Sequence, residues 1–182
     1  MTRYILILIY LLMNGVSLAQ PSSFQSKTDF LKKNEYLLKA GGIWEAENPK
    51  YNASEEWSPS SFGYKFEAGY AENSIRIKIN GKVKDKRYLY WDGYYFWDAL
   101  KNKICYRSMG TSGQIASGES INNDGDLLFE VLLPDGKITY HLDTDEIVSD
   151  NEFKSQSYEF VESEWKPLNT LVWKRINETK SK

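Results

Sequence analysis

The sequence predicts an all-β protein: an antiparallel up-and-down β-barrel of about ten strands, with a short N-terminal helix plugging one end. Three observations carry this. Turn dipeptides recur from residue 80 onward, at Asn80-Gly81, Asp92-Gly93, Lys101-Asn102, Asp124-Gly125, Asp135-Gly136 and Asp150-Asn151. The runs between them alternate apolar and polar residues at the period of a strand. One helical stretch precedes them, and no other separates them, which excludes βαβ units.

The chain opens on "MTRYILILIYLLMNGVSLAQ", a basic residue (Arg3), an apolar run from Tyr4 to Met13, then Ser17 and Ala19. This is the pattern of an export signal cleaved after Ala19. Gln20, not the cysteine of a lipoprotein, would head the mature chain. The domains expected are therefore a signal peptide at 1–19, one barrel domain at 20–176 and a polar tail at 177–182. Losing 1–19 removes one arginine and no acid, leaving a net charge of −3. That near balance offers little to nucleic acid or an anionic membrane. The apolar run is too short for a membrane span, so no integral membrane segment is expected after cleavage. Cys105 is the single cysteine, so stability in an oxidising space must come from the core, not from a disulfide. A lone cysteine reads as a small buried hydrophobe.

The helix is "SKTDFLKKNEYLLKAGG". Ser26 or Thr28 offers the N-cap and Asp29 sits in the first turn. Phe30 and Leu31 recur as Leu37 and Leu38, one apolar stripe at helical period, and Gly41 offers the left-handed position that ends a helix. After Gly42 the period becomes two. "SIRIKIN" sets Ile75, Ile77 and Ile79 against Arg76, Lys78 and Asn80. "RYLYW" and "YYFWD" read as two strands flanking a turn at Asp92-Gly93, and "KICYRSM", "DLLFEVLL", "KITYHLD", "FKSQSYEFV" and "TLVWKR" follow. A meander this long must split into a sandwich or curl up, and short connections with one plugging helix favour the barrel.

The helix followed by Gly42-Ile43-Trp44 at the start of a strand resembles the lipocalin and wider calycin pattern. That resemblance implies that Trp44 closes the narrow end of the barrel over the helix, with Arg175 of "LVWKR" packed across its face as a cation–π partner. Two departures stand beside it: "LDTDEI" holds Thr144-Asp145 followed by Glu146 where lipocalins carry Thr-Asp-Tyr, and seven residues follow Arg175 where lipocalins continue into a helix. The chain also resembles small exported bacterial barrels with the Gly-x-Trp start and, more distantly, ten-stranded haem barrels of the nitrobindin type. The latter need a histidine. His141 is the only one, and the alternation of "ITYHLD" puts it on the solvent face with Thr139 and Asp143, opposite Ile138, Tyr140 and Leu142. No cofactor is therefore expected.

Other chemistry is weakly signalled. Zinc sites want three or four His or Cys ligands, and the chain has two such residues. A Ser-His-acid triad would have to use His141, with no nucleophile-elbow sequence in sight. Glu45 and Glu47 share one phase and read as a solvated face, with Glu55 and Glu56 nearby. "GTSGQIASG" lacks the following helix of a phosphate loop, so its glycines read as sites of strand bending. Lys82, Lys84 and Lys86 among aromatics read as edge protection, not as a nucleic-acid groove. The sequons at Asn52 and Asn177 read as chance.

Aromatic residues make up 15% of the chain, with thirteen tyrosines. Tyrosine suits a cavity wall because it combines an apolar body with a polar tip. Alternation nominates Tyr90, Phe96, Tyr106, Phe129 and Tyr140 as cavity lining, with Arg107 out of phase with Tyr106. The function expected is an exported, non-catalytic binding protein for a small hydrophobic or amphipathic molecule, in the periplasm or outside the cell. The alternatives are an enzyme of the same fold using cavity tyrosines and one carboxylate, or an interaction module with a filled barrel.

Overall fold

The computed structural model describes residues 27–70, 73–121 and 125–176; the expected signal segment, Ser26, Asp124, Asn177 and the polar tail lie outside them. Helix α1 spans Lys27–Leu38 and runs into a 3₁₀ turn, Lys39–Gly41. Thr28 lies inside α1, not at its cap. Ten strands follow: β1 (Ile43–Glu47), β2 (Ser61–Ala68), β3 (Ser74–Val83), β4 (Lys86–Asp98), β5 (Lys103–Gly110), β6 (Ile115–Ser120), β7 (Leu127–Leu132), β8 (Ile138–Ser149), β9 (Glu152–Val161) and β10 (Glu164–Arg175). Each pairs antiparallel with its sequence neighbours, and β1 pairs β10 through Trp44–Arg175 and Glu45–Lys174 to close the barrel. Closure removes the free edges that a ten-stranded sheet would otherwise expose. Among the described residues no helix is long and apolar enough to cross a membrane.

Two of the expected turns are not turns. Asn80-Gly81 lies inside β3 and Asp92-Gly93 inside β4, so "RYLYW" and "YYFWD" form one strand of thirteen residues. The β3–β4 turn is made at Lys84-Asp85 instead, with Lys84 at a φ of 55°. Both dipeptides are used for close approach. A Cβ at Gly93 would lie 2.3 Å from Ser108 Cβ and 2.4 Å from the Arg107 carbonyl oxygen, and one at Gly81 would strike the Tyr90 ring. Asp92 meanwhile accepts two hydrogen bonds from the Arg76 guanidinium across the β3–β4 ladder. In "GTSGQIASG", Gly113 has a φ of 88° in the β5–β6 turn, while Gly118 sits inside β6, where a Cβ would meet β7.

The helix end of the barrel is largely packed. Phe30, Asn34 and Leu37 are the buried face of α1, at the i, i+4, i+7 spacing that one helical face requires. They pack into a core that includes Trp44, Phe66, Ile75, Ile77, Trp97, Ile104, Leu127, Phe153 and Trp173. Trp44 is fully buried and donates its indole N–H to the Leu37 carbonyl. Arg175 lies with Cζ 4.0 Å from the Trp44 ring centroid and 5.2 Å from that of Tyr36. Its guanidinium donates to the carbonyls of Tyr36, Lys39 and Asp150. Indole and arginine thus satisfy carbonyls that the end of a helix leaves without partners. Gly42, with a φ of 68°, completes the junction: a Cβ there would stand 2.2 Å from the Phe66 carbonyl oxygen.

Candidate functional site

The opposite half of the barrel is hollow. A cavity of about 480 Å³ opens at the end carrying the β5–β6 and β7–β8 turns, and a smaller chamber of about 50 Å³ lies below it against α1. Tyr64 and Asp143 line both. The large cavity has two kinds of wall. Strands β2 to β7 supply Phe62, Tyr64, Ile79, Tyr90, Trp91, Tyr106, Ala116, Phe129 and Val131, and β10 adds Leu168, Leu171 and Trp173. Between them, β8 and β9 supply Thr139, His141, Asp143, Ser157 and Glu159.

Two bulges shape the aromatic wall. The β3–β4 register passes from Ile79–Trp91 to Asn80–Leu89, leaving Tyr90 as the extra residue, so Tyr90 and Trp91 both reach the cavity. The β9–β10 register skips Leu168 after Pro167, a residue that cannot donate to the ladder, and Leu168 and Asn169 both line the cavity there.

Of the five aromatic residues expected in the lining, Tyr90, Tyr106 and Phe129 are placed there, while Phe96 and Tyr140 are not. Phe96 lies between Tyr95 and Trp97, both packed on the core, and so points outward. Tyr90 and Phe96 belong to one strand, not to two flanking a turn, and the bulge at Tyr90 sets them on different faces. Tyr140 is 48% exposed because the phase of β8 is opposite to the one its apolar residues suggest. Leu127, Phe129 and Val131 of β7 pair with Asp143, His141 and Thr139, whereas Leu132 pairs with Ile138 on the outside. With three apolar β7 residues committed inward, β8 must turn its polar set inward too. His141 is therefore a cavity residue, not a solvent-facing one. Arg107 is exposed on the outer face, and Glu45 is held there by Arg87 at 2.8 Å.

The polar strip contains the residues that the period-two reading missed. Asp143 is enclosed, its Oδ1 has no hydrogen-bond partner, and its carboxyl takes a hydrogen bond from Ser157. Burial pushes its pKa up from 3.8 to about 7, opposed by the Ser157 bond and assisted by the neighbouring charge of Asp145. Asp145, two residues along, lines the small chamber and is paired with Lys33 of α1 at 3.1 Å. His141 stacks on Phe129 with ring centroids 5.3 Å apart, and its Nε2 lies 2.8 Å from Thr139 Oγ1. Burial lowers the His141 pKa against the opposing pull of Glu159, its partner across β8 and β9.

Three buried tyrosines lie within electrostatic reach of Asp143. Burial holds the hydroxyls of Tyr64 and Tyr95 well above the ordinary phenol range and raises Tyr106 to about 12, with Asp143 adding to each shift. All three stay protonated donors at neutral pH. Ser108 donates to the Tyr106 oxygen at 2.7 Å, and Trp173 stacks on Tyr64 at 3.9 Å, fixing the cavity floor.

His141 Nε2, the nitrogen a haem iron would take, is engaged by Thr139 Oγ1 of its own strand, and Asp143 and Glu159 share the strip with it. Among the described residues no group of three or more His, Cys, Asp or Glu side chains is placed to hold a metal ion. No family model and no curated protein matches the chain.

Proposed function

We propose that this protein is an exported, lipocalin-like binding protein that holds a small amphipathic molecule in the open half of its barrel, without transforming it. The observation that carries the reading is the cavity of about 480 Å³, walled by aromatic side chains on most sides and by one polar strip. This is the size and composition of small-ligand sites, where apolar walls supply affinity and a few polar groups fix orientation. The stoppered end supports it as well. Trp44, Trp173 and Phe153 pack together at the helix end of the barrel.

The test uses fluorescence of the cavity tryptophans, Trp91 and Trp173, with the neutral apolar fluorophore N-phenylnaphthylamine. Saturable one-to-one binding with energy transfer, weakened by Ile79→Trp, is expected; absence of saturable binding would remove the reading. A second reading, acid–base catalysis, is favoured by one observation: a buried carboxyl, its pKa pushed up to about 7, in a cavity that Tyr64, Tyr90 and Tyr106 also line. An enzyme of this kind would turn its ligand over, and Asp143→Asn would abolish turnover.

A further inference from the structure

The binding reading leaves the head group of the ligand open, and the inference below rests on that reading. The cavity is charged on one side only. Asp143 and Glu159 line its polar strip, and among its described lining residues there is no lysine or arginine. Lys33 enters only the small chamber below, where Asp145 takes its ammonium. An anionic head group would therefore meet carboxyls with no cation to offset them.

The strip is also short of a donor. Asp143 Oδ1 is shut off from solvent and has no hydrogen-bond partner, while Ser157 serves the carboxyl from the other side. A buried acceptor left in this state carries a desolvation cost that a bound donor would relieve. Tyr64, Tyr106, Phe129 and Trp173 line the same cavity, and aromatic ring faces carry the negative side of a quadrupole. Carboxyl oxygens and aromatic faces attract the same partner, an organic cation.

We infer that the cavity selects a small organic cation, an amine with an apolar body, with its charge set at the Asp143–Glu159 strip and its body along the aromatic wall.

Three probes of one chain length separate the possibilities: octylammonium, octanol and octanoate. Their binding is measured by isothermal titration calorimetry at about pH 8, above the range in which Asp143 takes up its proton. The expected order is cation first and carboxylate last, with the cation about tenfold or more tighter than the alcohol. In Asp143→Asn and Glu159→Gln the ratio of cation to alcohol affinity should fall several-fold in at least one variant. That ratio does not depend on how much of the sample is folded. Alcohol or carboxylate binding as tightly as the cation would overturn the head-group inference and leave the binding protein standing. Failure of all three to bind would remove both. An unchanged ratio in both variants would also overturn the inference.

Discussion

Replacing Asp143 with asparagine should stabilise the protein, and only where the carboxyl would be ionised. In the folded chain its pKa stands at about 7 against an ordinary 3.8. The folded state therefore holds a proton that the unfolded state has released, and stability falls as pH rises between those values. At about 1.4 kcal/mol per pH unit, the full cost of ionising the buried carboxyl reaches roughly 4 kcal/mol above pH 7. Asparagine has nearly the same shape, keeps an oxygen for the Ser157 hydroxyl and cannot ionise. Thermal melts of both proteins should give similar Tm values near pH 4 and diverge upward through neutrality. By about pH 8 the variant should lead by on the order of 10 °C. Every other titrating group is common to both proteins, so the difference isolates Asp143. An asparagine variant less stable at every pH, or a gap that does not change with pH, would refute the burial argument.

Arg175→Gln should cost about 2–4 kcal/mol by urea denaturation, because it removes a cation–π contact and leaves the half-buried Tyr36 carbonyl at the helix end without its arginine donor. Gly42→Ala should destabilise more than Gly136→Ala, although both positions have positive φ. The first drives a methyl into the Phe66 carbonyl and the second meets nothing within 4 Å, so the second should cost only about 1 kcal/mol. In nuclear magnetic resonance titrations His141 should titrate below the ordinary imidazole range, and a midpoint above that range would contradict its burial in the cavity. Tyr140→Ser should leave fluorophore binding unchanged, since the side chain lies outside the barrel.

How legible all this was depended on what each residue type encodes. The α1 stripe, the double glycine and Trp44 were readable because a helix end packed against a strand demands small residues with positive φ, then a bulky stopper. Alternation marked most of the strands, but it split β4 in two and named neither β2 nor β6. Asp92-Gly93 misled because glycine serves two needs, a turn with positive φ and close packing between extended strands, and only the tertiary partner, here Ser108 of β5, decides between them. β8 was the harder case. "ITYHLD" alternates cleanly, but alternation gives two faces without saying which is inside. The apolar set looks inward until β7 is considered: Leu127, Phe129 and Val131 cannot share a cavity side with Ile138 and Tyr140 at the observed register. A further signal lay in β9, where Phe153, Ser155, Ser157 and Glu159 keep one phase and two adjacent strands carry polar residues together. Reading neighbouring strands as pairs, not singly, would have brought out Asp143 and Glu159.

The open half of the barrel is proposed to be an occupied ligand site in life. Native mass spectrometry of the protein isolated from the cells that make it tests this most directly. A one-to-one adduct of a small molecule is expected, released on denaturation and depleted in the Ile79→Trp variant, whose added ring intrudes on the cavity. Wild-type protein flying at its bare polypeptide mass, or an adduct that Ile79→Trp leaves untouched, would contradict it.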